Sequence, residues 1–263
     1  MTKRTPALAL SATILALATT HSIAAEQTFS LNVEYTDLEA LGERSVLSAD
    51  YVLKKEKNTF VFNIAGGDRS FPQGTDAKAS KAGITVYTKW NDVVTTRFGG
   101  SVASDKPVFA KRDLYGNVDL NFIPNTSLSF GARDTRYFGN VGVTSWNAGA
   151  TYYFPRGSLM YRFTRYKTDI TGSKNGHTAR LTIKDGASSK GRTELWLGKG
   201  NRAFAYDWAT EFLAGSTKSA TLRRVQPVSE NLALNATLGR TWYKMPFTQY
   251  TGTTLGLGIE YNW

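Results

Sequence analysis

Five arginines and a set of carboxylates are the residues best placed to do chemistry. Arg97, Arg133, Arg162, Arg180 and Arg223 each fall in a stretch where apolar and polar residues alternate, and each sits on the polar parity. An arginine fork holds a carboxylate or phosphate through two parallel hydrogen bonds. A track of such forks lining a lumen would favour anions. Glu34, Asp50, Asp119, Glu194 and Glu260 share that parity. They suit a second reading, in which acids and arginines pair and brace opposite walls. Tyr115, Tyr153, Tyr166 and Trp196 lie on the same face, where flat rings offer surfaces for sugars.

Other chemistries find little support. The chain has no cysteine and two histidines, which excludes disulfide frameworks, thiol chemistry and histidine-rich metal sites. His177 is the sole histidine outside the N-terminal segment, and it reads as an exposed strand-end residue. No G-x-S-x-G elbow is present. Gly66-Gly67 and Gly198-Lys199-Gly200 do not extend into a phosphate-binding motif, and Asp185 and Asp207 have no partner at an informative spacing. The expectation is no catalytic site, no metal and no cofactor.

The elements that must position the arginines are strands. Leu255, Leu257, Ile259, Tyr261 and Trp263 alternate with Thr254, Gly256, Gly258, Glu260 and Asn262. The same period of two runs through 94–102, 114–122, 146–154 and 232–238, and it places the two sets on opposite faces of a sheet. Strands are expected near 27–36, 45–54, 58–66, 80–90, 93–103, 113–123, 126–136, 143–154, 157–167, 176–184, 191–198, 215–225, 231–241 and 252–263. Short turns alternate with longer polar stretches at 65–79, 103–112 and 199–214, the last read as a hairpin tip.

This pattern predicts an all-β fold, a transmembrane antiparallel up-and-down barrel of about 14 strands, or 12 or 16 if a hairpin is lost or gained. A soluble sandwich gives the same alternation. Strands near ten residues exceed the usual soluble length of about 5–6. Phe60, Trp90, Phe122, Phe154, Tyr261 and Trp263 fall beside turns, as in an interfacial girdle. Leu257, Ile259, Tyr261 and Trp263 resemble the C-terminal signature read by the barrel-assembly machinery.

Residues 1–25 read as a cleaved secretory signal: Lys3 and Arg4, the apolar run from Ala7 to Ala18, and small residues allowing cleavage after Ala24 or Ala25. That run is too short for a membrane anchor. Cleavage would leave 26–263 as the barrel and reduce the net charge from +11 to +9 by removing Lys3 and Arg4. The basic balance suits anionic partners. Lys54, Lys55, Lys57, Lys78, Lys81, Lys106, Lys111 and Arg112 are read as loop and turn residues, mostly a solvated face. Expected partners are outer-membrane lipid, the assembly machinery and an anionic saccharide. Nucleic acid is not expected for an exported protein.

Several strings resemble the YaiO family of outer-membrane β-barrels: Lys89-Trp90-Asn91, Thr95-Thr96-Arg97, Pro107-Val108-Phe109-Ala110, Glu194-Leu195-Trp196-Leu197, Tyr206-Asp207-Trp208, Lys218-Ser219, Arg224-Val225-Gln226-Pro227 and Thr241-Trp242-Tyr243. The resemblance runs from about residue 30 to the end. It implies a β-barrel in the outer membrane of a Gram-negative bacterium, without a catalytic motif. It further implies a porin-like channel linked to surface-polysaccharide export or saccharide passage. The alternative is a closed structural barrel that acts through external loops.

Overall fold

The computed structural model describes residues 26–263 apart from 73, 75, 169–171, 187–189, 201–215 and 245–248. The signal-peptide segment and most of the 199–214 hairpin tip, with Phe204, Tyr206 and Trp208, lie outside the described residues.

Among the described residues fourteen strands close into one antiparallel barrel. They are β1 (Gln27–Asp37), β2 (Glu43–Lys55), β3 (Asn58–Ser70), β4 (Asp76–Lys89), β5 (Val94–Ala103), β6 (Arg112–Ile123) and β7 (Thr126–Arg136). The second half is β8 (Gly142–Phe154), β9 (Gly157–Thr168), β10 (Gly172–Lys184), β11 (Arg192–Gly200), β12 (Ser216–Pro227), β13 (Leu232–Lys244) and β14 (Gln249–Asn262). Each strand pairs with its sequence neighbours. β1 pairs with β14 from Thr28↔Asn262 to Asp37↔Thr253, so no edge is left. Closure satisfies every ladder group internally, which a sheet in hydrocarbon requires.

Burial is inverted relative to a water-soluble protein. Phe98, Leu114, Phe130, Trp146, Leu238 and Leu257 are exposed. Asp113, Asn117, Thr135, Thr164, Glu194 and Asn235 are buried on the opposite parity. A soluble sandwich would bury the first set and expose the second, so this distribution separates the two readings that alternation alone leaves open.

The two ends differ. Tight turns join the strands at the end that carries both termini, and Glu56 and Asn125 take positive φ of 52° and 56° there. Trp90, Phe122, Tyr261 and Trp263 are exposed at this end. Trp263 lies 5.7 Å from Tyr261 and 6.3 Å from Tyr51, ring centre to ring centre. At the other end the strands run further than expected. β3 continues to Ser70, β4 begins at Asp76 and β10 begins at Gly172, so most of the polar stretch 65–79 is strand. The reason lies in residues 76–79, Asp-Ala-Lys-Ala: they alternate in exposure but carry no large apolar group.

Two loops at this end fold inward. Val108, Phe109 and Ala110 of the β5–β6 loop are buried. Ala110 packs with Tyr137 and Val143, joined by Val141 and Tyr166. Leu38, before a short 3-10 turn at Glu39–Leu41, packs on Tyr243 and Tyr250.

Candidate solute path through the lumen

The parity of each strand fixes which side chains line the lumen. Arg97 has the opposite parity to Phe98 and Val102, the exposed residues of its strand, and points inward. The same reasoning places Arg133, Arg162, Arg180 and Arg223 on the inner face, opposite in parity to Phe130, Tyr161, Leu181 and Leu222. Register then divides these arginines into two walls.

On the wall formed by β1–β7 several charges are paired or hydrogen-bonded. Arg133 donates from Nε and Nη2 to the two oxygens of Asp113 at 2.7 and 2.6 Å. Thr135 Oγ1 donates to Asp113 at 2.7 Å. Asn63 donates to Asp50 at 2.7 Å, and Arg44 meets Glu34 at 3.6 Å. Tyr115 lies under two guanidinium groups, those of Arg97 at 5.5 Å and Arg133 at 5.6 Å. Its hydroxyl shares a 2.5 Å hydrogen bond with Thr85. A side chain at Gly99 would sit 2.5 Å from the Tyr115 ring, so glycine is what lets that ring lie flat on the wall.

The wall formed by β9–β12 is arranged differently. Arg162 is level in register with Thr178, one inward position from Arg180. Arg180 is level with Trp196, and Glu194 with Arg223. The three arginines therefore form one contiguous surface. Glu194 is occupied by its own strand: Arg192 donates to it at 2.9 Å and Trp196 Nε1 at 3.1 Å. The Arg180 guanidinium stacks on Trp196 at 4.9 Å. Among the described residues Arg180 has no carboxylate within ion-pair distance, and its buried Nε has no hydrogen-bond partner.

Some expected roles change. Lys81 is an inward, half-buried strand residue, in the field of Asp50 and Asp113, and not part of a loop. Arg44 and Arg192 join the inward cations, and Asp113 joins the inward acids. Of the four lumen aromatics, Tyr115 and Trp196 are covered by arginine and Tyr166 packs into the apolar cluster. They orient guanidinium groups or fill space and offer no free face to a sugar. Tyr153 alone stays exposed. Asp119 and Glu260 lie on the inner parity toward the tight-turn end.

The β5–β6 loop packs against inward residues at the other end. Phe109 lies under Arg44 at 5.6 Å, and Arg69 Nη1 donates to the Pro107 carbonyl at 3.4 Å. A side chain at Gly67 would come within 3.1 Å of both Phe109 and Val108. Glycine there is the seat for the loop.

His177 faces outward, with Nδ1 2.7 Å from the Tyr161 hydroxyl and its ring edge-on to Phe163. Among the described residues no group of three His, Asp or Glu side chains comes together to hold a metal. Leu257, Ile259, Tyr261 and Trp263 all lie on the exposed outer face of β14 and the residue after it.

The YaiO membrane beta barrel domain matches residues 26–207. Among solved structures the CymD monoaromatic hydrocarbon channel is similar at a TM-score of 0.60 and 7% identity, covering 91% of this chain and 88% of that one. The TodX deltaS2S3 mutant monoaromatic hydrocarbon channel follows at 0.54 and 7%, covering 92% and 91%. An anion-selective porin from Comamonas acidovorans is similar at 0.49 and 15%, covering 92% and 99%. At these identities the likeness is one of fold.

Proposed function

Since the chain belongs to the YaiO family of membrane β-barrels, we propose that it is an outer-membrane channel passing anionic hydrophilic solutes, acidic saccharides among them, along the β9–β12 wall. A barrel of eight strands is filled by its own side chains, and one of 16–18 leaves an aqueous channel. Fourteen strands fall between, where the lining residues and inserted loops set the opening.

The observation that carries this reading is Arg180, stacked on Trp196 and without a carboxylate partner among the described residues, flanked by Arg162 and Arg223. A carboxylate about 4 Å from one guanidinium gains about 4 kcal/mol at an effective dielectric constant near 20, and about 1 in bulk water. Dehydration offsets much of that. The result is weak, repeated contact, which lets an ion enter and still leave. Polysaccharide export rests on the family resemblance. An acidic sugar polymer is one solute that this wall would accept.

The test is ion selectivity of the refolded barrel in a planar bilayer. Wild type should prefer anions, and the double substitution Arg162→Glu with Arg180→Glu should reduce or reverse that preference. Unchanged selectivity in the double variant would overturn the arginine path. A folded barrel that passes no current would favour a closed structural barrel working through its loops, a reading supported by the inward seating of Leu38 and Phe109.

A further inference from the structure

The outer face of β9–β13 changes character at one level. Going toward the long-loop end, outward Phe163 is followed by Arg165, Leu197 by Lys199, Ala220 by Lys218 and Leu238 by Arg240. All four cations are exposed, and Lys167 and Lys244 stand further out on the same parity. Register sets Lys199 directly opposite Lys218. His177 is level with Lys199 on the other side, and Trp242 is level with Lys218. Like charges set directly opposite across a ladder destabilise it.

No acid on these strands answers them. The sequences of β9–β13 contain a single carboxylate, Glu194, and it faces the lumen. Arg165 donates to Asn175 at 2.9 Å, a neutral partner. Arg240 donates to the Thr251 hydroxyl at 3.2 Å. Glu39, whose carboxylate accepts from the Thr251 backbone N–H at 2.7 Å, lies in the field of Arg240.

The opposite sector is balanced. On the outer face of β3 and β4, Asp68 is level with Lys78. On β6 and β7, Arg112 meets Asp134 at 3.2 Å. Among the described residues, a run of outward cations with no outward carboxylate on its own strands thus marks this sector of the barrel.

We propose that the outer face of β9–β13 at the long-loop end docks a phosphorylated lipid of the surrounding leaflet. Arg165, Lys199, Lys218 and Arg240 take its phosphate groups, and its acyl chains lie on Phe163, Leu197, Leu222 and Leu238. Cations adjoin apolar side chains at the next outward position on the same strands, which matches a headgroup joined to its chains. Trp242, among the cations, has the amphipathic ring that settles at such a boundary. A soluble acidic polymer would use the charges and leave the apolar strip without a role. This surface belongs to the barrel as a membrane protein and does not depend on whether the lumen conducts.

The test uses the folded full-length barrel in nonionic detergent, with bound lipid counted by native mass spectrometry. The probes are bisphosphorylated lipid A, its dephosphorylated counterpart, inorganic phosphate as competitor and a soluble polyuronate. The phosphorylated lipid should bind at least tenfold more tightly than the dephosphorylated one. Lys199→Gln with Lys218→Gln should weaken it about fivefold or more, while Lys78→Gln with Arg112→Gln leaves it unchanged. A shift in gel migration between unheated and boiled samples checks folding of each variant. Should the lysine double variant fail to fold, the two lipids on wild type decide alone, and Lys199→Arg with Lys218→Arg should retain binding. Equal binding of both lipids, equal loss in both double variants, displacement by millimolar phosphate or a preference for the polyuronate over the lipid would overturn the proposal.

Discussion

Arg133 on β7 and Arg180 on β10 line the same lumen and are held by different means. Arg133 is fixed by a bidentate pair with Asp113 whose side chain is 6% exposed, and Thr135 completes the acid's shell. Arg180 rests on the face of Trp196, and the acid beside it is already taken by Arg192 and the indole. A ring orients a guanidinium without neutralising it. The two walls teach that a cation's availability to a solute is set by what holds it, and that direction into the lumen is only the first requirement.

The comparison breaks most sharply at Arg133. Arg133→Gln leaves Asp113 buried with half its partners, and the folded barrel should lose about 3 kcal/mol, the lower end of the cost of orphaning a buried charge. Urea unfolding in micelles reads this, and anion selectivity should stay near wild type. Arg180→Gln should do the reverse, costing about 1 kcal/mol or less of stability while lowering anion preference. Equal stability losses would erase the distinction between the walls.

A middle-sized effect is expected at the inserted loop. Phe109→Ala removes the ring that seats the loop between Arg44 and Gly67. Stability should fall by about 1–2 kcal/mol, less than for a core phenylalanine because the loop can re-seat. Single-channel conductance should rise as the mouth widens. Conductance at or below wild type would mean that the loop does not narrow the path.

The smallest effect belongs to a paired charge outside the lumen. Arg224 donates two hydrogen bonds of 2.6 Å to Asp185 in the β10–β11 turn. These bonds hold the Asp185 carboxyl below its ordinary value. A depressed value gives a contribution that is complete above the unfolded carboxylate range, near pH 3.9, and is lost as pH falls through the folded value. Thermal stability should therefore be flat from pH 7 to 5 in this respect. The acid loss below about pH 4 should be smaller in Arg224→Gln than in wild type. Both groups are exposed, so the difference is slight.

The strands were readable because period-two alternation is written directly in residue type. Residues 76–79 hid their strand because they carry no large apolar side chain to mark the period. Asp113 shares the parity of Tyr115, so its direction is readable, but its pairing with Arg133 depends on register, which alternation leaves free. The inward seating of Val108 and Phe109 had one signal in the sequence: an apolar run inside an otherwise polar loop must find cover. Where that cover lies, against Gly67 and Arg44, depends on strands far away in the chain.

On the proposed path the β9–β12 arginines give the lumen a preference for anions. The most direct measurement is the reversal potential of single channels across a potassium chloride gradient, wild type beside Arg162→Glu with Arg180→Glu. An anion-selective wild type and a double variant shifted toward or past zero is the predicted result. Identical reversal potentials in two folded, conducting proteins would contradict it.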